Sequence, residues 1–239
     1  TGEYQFEHIL QDIQTLNERA LRGELDITAV SIHAYAYLSD RYALLSSGAS
    51  MGDKYGPIVV GRRAYTKDEL RKAKIAVPGE LTSAFLAMQL YMGGKAGEAF
   101  DYVVVPFDEI FDYLRAGKAE AGLIIHEGQL TYASEGLECA LDLGKWWKDS
   151  TGLPLPLGVN VVRRGLGEAR IAQLSRILSR SIAYSLEHRD EAVAHALRWG
   201  RGMGRDLADR FVGMYVNDLT VAMGERGRRA IREFLGQAA

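Results

Sequence analysis

The chain has 239 residues, 47% of them hydrophobic and 25% charged, with a net charge of -2. That is enough apolar content for one large domain or two smaller lobes. The near-neutral balance excludes an electrostatic footprint for nucleic acid and a basic face for anionic lipid, and no apolar run has the length of a bilayer span.

The start, "TGEYQF", shows neither methionine nor a signal-peptide pattern and reads as a processed or truncated end. "HILQDIQTLNERALRGE" follows, with Ile9, Ile13, Leu16, Ala20 and Leu21 at helical spacing and Gly23 as the stop. "LDITAVS" reads as a strand and "SIHAYAYLSDRYALL" as helical at its start. "GPIVVGRR" is a second strand. "TKDELRKA" is a helix capped by Thr66, with Glu69 three residues on. "KIAVPGELTSAFLAMQLYMGG" is strand, turn and helix. "DYVVVPFDEIFDYLRAGKAEAGLIIHE" is strand, helix and strand.

The single cysteine, Cys139, allows no internal disulfide and fits a reduced, cytoplasmic setting. In the strand-like "GLECALDLG" it reads as a small core residue rather than a nucleophile. "KWWKDSTGLPLPLGVNVVRR" is a short helix anchored by Trp146 and Trp147, a Pro-rich crossing segment and a strand. The remainder reads as helices over 167–187, 189–199, 204–214 and 224–236. Strands alternating with helices predict an α/β fold with a mainly parallel sheet. The stretches 21–31 and 114–125 share one plan: a helix ending Leu-Arg, a glycine stop, an acidic residue and an apolar strand. Two lobes built alike would place the tips after Val30 and Ile125 in comparable positions.

The apolar run "AGLII" ends abruptly in His126 and Glu127. Ligands of open α/β sheets sit beyond the carboxyl ends of parallel strands, and an imidazole there can move protons near neutrality. A histidine that merely caps the strand is the competing reading. Neighbours on an extended strand face opposite ways, so Glu127 does not share the direction of His126. "HEGQL" lacks the second histidine of a zinc helix, and no other metal-ligand set stands out. In "AVPGELTSAF", Thr82 and Ser83 open a helix, where free N–H groups can hold a carboxylate or phosphate; ordinary N-capping is the alternative. Ser31 reads as a helix cap and His33 as packed against its helix, while His8, His188 and His195 read as solvated. "GRGMGR" follows no strand and fails as a dinucleotide loop.

Taken together, "AGLIIHEGQLTY", "GLPLPLG", "KIAVPGELTSAF", "DITAVSIHAYAYLSDRYALLSSGASMG" and "YVNDLTVAMGERGRRAI" resemble the 1,4-dihydroxy-6-naphthoate synthase family of the futalosine route to menaquinone. The resemblance runs from Leu10 to Ile231. The related chorismate dehydratases carry Gly-Asp where this chain has His126-Glu127. The resemblance implies a two-lobed, periplasmic-binding-protein-like (type II) fold with a cleft. It assigns 1–56 and 165–239 to the first lobe and 57–164 to the second. It implies His126 as general base and substrate contacts from Ala29, Val30, Ser31, Thr82 and Ser83. It implies a small carboxylate-bearing substrate, with no cofactor, metal, nucleic acid or membrane partner. The family's initial strand and Ser-Pro-Cys-Pro-Asn-Asp stretch have no counterpart here. Two alternatives stay open: a non-catalytic binding protein for a small carboxylate, and a chorismate dehydratase-like relative.

Overall fold

The computed structural model describes residues 4–198 and 204–238. Helix α1 (Ile13–Arg22) leads to β1 (Ile27–Ser31), the single turn α2 (Ile32–Tyr35), and two short strands, β2 (Tyr42–Leu44) and β3 (Ser50–Gly52). A middle block follows: β4 (Ile58–Gly61), α3 (Lys67–Lys72), β5 (Lys74–Val77), α4 (Ser83–Met92), β6 (Asp101–Val104), α5 (Ile110–Arg115), β7 (Ala121–Ile124), α6 (Gly128–Thr131), β8 (Glu138–Asp142) and α7 (Leu143–Thr151). The nine-residue β9 (Leu155–Arg163) comes next. The chain ends in α8 (Glu168–Glu187), α9 (Arg189–Leu197), α10 (Arg205–Tyr215), α11 (Asp218–Val221) and α12 (Gly224–Gly236).

Local chemistry sets several of these bounds. Asp12 caps α1 by accepting from the Thr15 N–H, and Gly23, at φ 72°, closes it. The expected capping box of α3 is present, with Thr66 and Glu69 satisfying each other's backbone N–H groups. The expected α1 face is only partly right. Ile9 and Leu21 are exposed, and the buried positions are Asn17 and Ala20. The helix starts at Ile13 because Asp12, not the earlier apolar pair, supplies the first acceptor for its free N–H groups.

Two sheets result. In the first, β9 is the hub: β1, β2 and β3 all pair with it antiparallel. The second has the order β6-β5-β7-β4-β8. Only β5, β6 and β7 run parallel there; β4 is antiparallel to both its neighbours. The expected mainly parallel sheet is therefore a mixed one. The misleading signal was "IVVG", apolar throughout because β4 is central and covered on both faces, a pattern usually left by parallel strands.

The stretch 155–163 falls within 57–164, the range expected for the second lobe. Ile27–Ser31 pairs with Val162–Gly158, so β9 belongs to the first sheet. The prolines suggest a crossing segment, yet Pro156 sits in the strand opposite Met51, where the register shifts; pairing with β1 stops at Gly158, so β3 alone lies alongside there, and such a one-sided, irregular place tolerates the missing donor. Cys139 is also corrected. It is exposed, because β8 is an edge strand. The expectations for residue 199 and for Gly200 and Gly202 lie outside the described residues.

One buried cluster joins the sheets. Trp147 of α7 is wholly buried, meets Phe234 of α12 edge-on at 5.3 Å, and donates its indole N–H to the Pro154 carbonyl. Such a side chain is worth about 3–5 kcal/mol against alanine. Helix α4 is apolar on all sides and buried from Ser83 to Met88, which makes it an interior helix. No helix among the described residues is long and apolar enough to cross a membrane.

Candidate functional site

A cavity of about 230 Å³ opens between the sheets. Ala29, Val30 and Ser31, at the end of β1, line it from the first sheet. Thr82 and Ser83, at the start of α4, line it from the middle block. Leu157, Gly158 and Val159 of β9, Ile125 after β7, and Tyr215 of α10 complete much of the wall. The structure thus brings together five of the six residues expected to form the site. The tips after Val30 and Ile125 also meet here, as their shared sequence plan suggested. No charged side chain is among the described lining residues.

The hydroxyls at the helix start are already committed. Thr82 Oγ1 donates to the Gly79 carbonyl at 2.8 Å and accepts from the Phe85 N–H at 3.1 Å. Ser83 Oγ donates to the Leu157 carbonyl at 2.6 Å and accepts from the His33 N–H at 3.3 Å. Those bonds fasten α4 to β9 and to α2. A ligand at this end would instead meet the N–H groups of Ser83 and Ala84, which have no acceptor within a helix. Both residues line the cavity, and the positive end of the ten-residue α4 lies there.

Ser31 is held by a residue that the sequence reading missed. Asn17 is fully buried; its Oδ1 accepts from the Ser31 N–H at 2.8 Å. Its Nδ2 donates to Ser31 Oγ at 3.1 Å and to the Leu81 carbonyl at 3.3 Å. Asn17 thereby ties the β1 tip to the loop before α4. The available signal was an amide on the apolar face of α1, since buried amides need partners. His33 is packed as expected, with its ring 5.8 Å from that of Tyr37. Burial lowers its pKa, against the opposing pull of backbone groups at Thr82 and Glu80.

His126 is not among the described residues that line the cavity; its neighbour Ile125 is. The His126 ring lies between Phe107 and Phe111, with centroids 5.5 and 5.7 Å away, and 14% of its side chain is exposed. The Gly128 N–H donates to its Nδ1 at 3.0 Å. Since that N–H can only donate, the neutral ring carries its hydrogen on Nε2. The nitrogen with a lone pair to offer is Nδ1, and Glu127 Oε2 stands 3.8 Å from it. Among the described residues no group of three or more His, Cys, Asp or Glu side chains could hold a metal ion.

The chain is similar to known proteins along its whole length. Residues 1–239 match the family model described as menaquinone biosynthesis. A 1,4-dihydroxy-6-naphthoate synthase of Thermus thermophilus is 40% identical over 97% of this chain and 83% of its own. Its counterpart in Streptomyces coelicolor is 37% identical over 95% of this chain and 80% of its own. A solved structure of an Archaeoglobus fulgidus protein superposes with a TM-score of 0.91 at 44% identity, covering 97% of this chain and 85% of that one. An alkanesulfonate-binding protein from Xanthomonas axonopodis pv. citri has a TM-score of 0.66 at 14% identity, covering 95% of this chain and 80% of its own. At that identity the likeness is one of fold, and the fold is the periplasmic-binding-protein-like, type II one.

Proposed function

The chain belongs to the menaquinone-biosynthesis family of the 1,4-dihydroxy-6-naphthoate synthases, and we propose that it is the carbon–carbon lyase that converts cyclic dehypoxanthine futalosine to 1,4-dihydroxy-6-naphthoate, with His126 as general base. The observation that carries this reading is the meeting of Ala29–Ser31, Thr82–Ser83 and Ile125 on one apolar cavity. Apolar walls suit a ring system, and the N–H groups of Ser83 and Ala84 suit the carboxylate that the ring bears.

The reacting C–H lies at the Ile125 end, next to His126. The imidazole takes the proton at Nδ1, for which Gly128 must release its hydrogen bond. Glu127 then faces a positive ring. The electron pair left behind drives cleavage of the adjacent carbon–carbon bond, and the substrate's own carbonyl accepts the pair released there. The aromatic naphthalene and a small sugar-derived ketone leave. The protein's contribution is orientation and one timed proton transfer. A binding protein of the same fold would need no base beside its cavity, and the likeness to such proteins stands at 14% identity.

His126→Asn tests this reading, because asparagine can still accept from the Gly128 N–H through its side-chain oxygen. Turnover is expected to fall by about two to four orders of magnitude, and the ascending limb of the parent's pH–rate profile to disappear. A folded variant with near-parental turnover would overturn the assignment of the base.

A further inference from the structure

We propose that Tyr215 is a positioning residue that holds the His126 loop in place through Gln129, an inference that rests on His126 being the base. Tyr215 closes α10, which packs on β3 of the first sheet. Its hydroxyl donates to Gln129 Oε1 at 2.9 Å. The direction is fixed by the other end of the amide: Gln129 Nε2 donates to the Ile124 carbonyl at 3.3 Å, so Oε1 must be the acceptor toward the phenol. The Gln129 backbone N–H donates to the His126 carbonyl at 2.9 Å. One buried glutamine therefore grips the chain on both sides of Ile125, the residue that joins the cavity wall to His126.

The anchor is itself held. Tyr55 meets the Tyr215 ring edge-on at 5.7 Å. Asn217 donates to the Tyr55 hydroxyl at 3.1 Å and to the Met51 carbonyl at 3.2 Å. A continuous set of contacts thus runs from β3 through Tyr215 and Gln129 to the loop bearing His126. Burial keeps the Tyr215 phenol protonated far above its usual range, so it remains a donor at every working pH. Removing the hydroxyl would leave a buried amide oxygen unpaired and the loop loosened at its only glutamine. A small displacement of a reacting group is costly in rate, because catalysis depends on a near-attack geometry.

Tyr215 also lines the cavity, so a direct contact with substrate must be told apart from action through the loop. The test is Tyr215→Phe made in the parent and in the His126→Asn background, with turnover, KM and thermal midpoint measured on each. In the parent, turnover should fall about tenfold, with KM within about twofold. In the His126→Asn background the same change should cost less than about twofold, because the group being positioned is gone. An equal loss in both backgrounds, a loss carried by KM, or parental turnover would each overturn the proposal. Gln129→Met, which keeps the volume and removes the amide, provides a second route to the same comparison. It should cost at least as much as Tyr215→Phe, because the bond to the Ile124 carbonyl goes too, and adding Tyr215→Phe to it should cost nothing further. Should His126→Asn itself keep parental turnover, the base assignment fails and the role of Tyr215 with it; a loss in His126→Asn with equal effects of Tyr215→Phe in both backgrounds overturns the role of Tyr215 alone.

Discussion

Gly128→Ala puts the geometry around His126 to a direct test. A Cβ at this position would stand 2.6 Å from His126 Cε1, and 2.7 and 3.0 Å from two ring carbons of Phe111. Ordinary contact begins at 3.4 Å, so a ring must retreat by roughly 0.8 Å. The backbone raises no objection, since Gly128 is not among the positive-φ glycines, and alanine suits the start of α6. The cost therefore comes from the rings, about 1–3 kcal/mol for an overpacked site. For a chain of this size that lowers the thermal midpoint by about 2–12 °C. Both rings must give; Phe111 is backed by the cluster of Ile110, Leu114 and Ile124, whereas His126 keeps an exposed edge, so His126 moves the further of the two. Moving it weakens the bond from the Gly128 N–H and shifts Nδ1. A shift of that size should cost turnover about 100-fold. Thermal unfolding and single-turnover rates on the same preparation read both effects. A variant within about 2 °C and twofold of the parent would refute the packing and the mechanism built on it.

Two further outcomes follow from bonds at the other end of the cavity. Replacing Thr82 and Ser83 together with alanine should raise KM more than it lowers kcat, because these residues shape a carboxylate site that is the same before and during reaction; it should also cost stability, about 0.5–2 kcal/mol for the lost cap alone. A change confined to kcat would contradict that assignment. His33 has its pKa lowered below the ordinary 6.5 by burial, so its contribution to stability is complete above about pH 6.5 and is lost as pH falls through the folded value. Thermal midpoints between about pH 7.5 and 5.5 should fall less steeply in His33→Gln than in the parent, and identical slopes would rule out His33 as a source of the dependence.

The sequence was readable where a side chain declares its own purpose. Thr66 with Glu69 announced a capping box, Gly23 a helix stop, and the plan of Leu-Arg, a glycine stop, an acidic residue and an apolar run announced two strand tips that meet at the cavity. It misled where a residue's meaning depends on distant partners. The direction of β4 and the sheet to which β9 belongs are set by which strands lie alongside, and apolar runs carry no arrow. Cys139 reads as core until β8 proves to be an edge. Asn17, Gln129 and Tyr215 gave almost no local signal, because each acts through a partner at least 14 residues away: Ser31, Tyr215 and Gln129 respectively.

Under the proposed function, the same distinction would let the site hold a carboxylate with no cation among the described lining residues. The polar side chains Thr82, Ser83 and Asn17 are spent on fixing the backbone. The start of α4, whose Ser83 and Ala84 line the cavity, carries peptide N–H groups with no acceptor inside the helix, held in fixed orientation. A lysine would attract the carboxylate more strongly from a distance, but it would lose rotamer freedom on binding and bring its hydration shell into an apolar cavity. Fixed peptide dipoles cost nothing further when the ligand arrives. Binding by such a site should depend little on ionic strength, since screening acts on exposed charges and the described lining residues present none. A KM that rose steeply between low and physiological salt would mean that a charged side chain reaches the substrate after all, and that the carboxylate lies elsewhere than at Ser83 and Ala84.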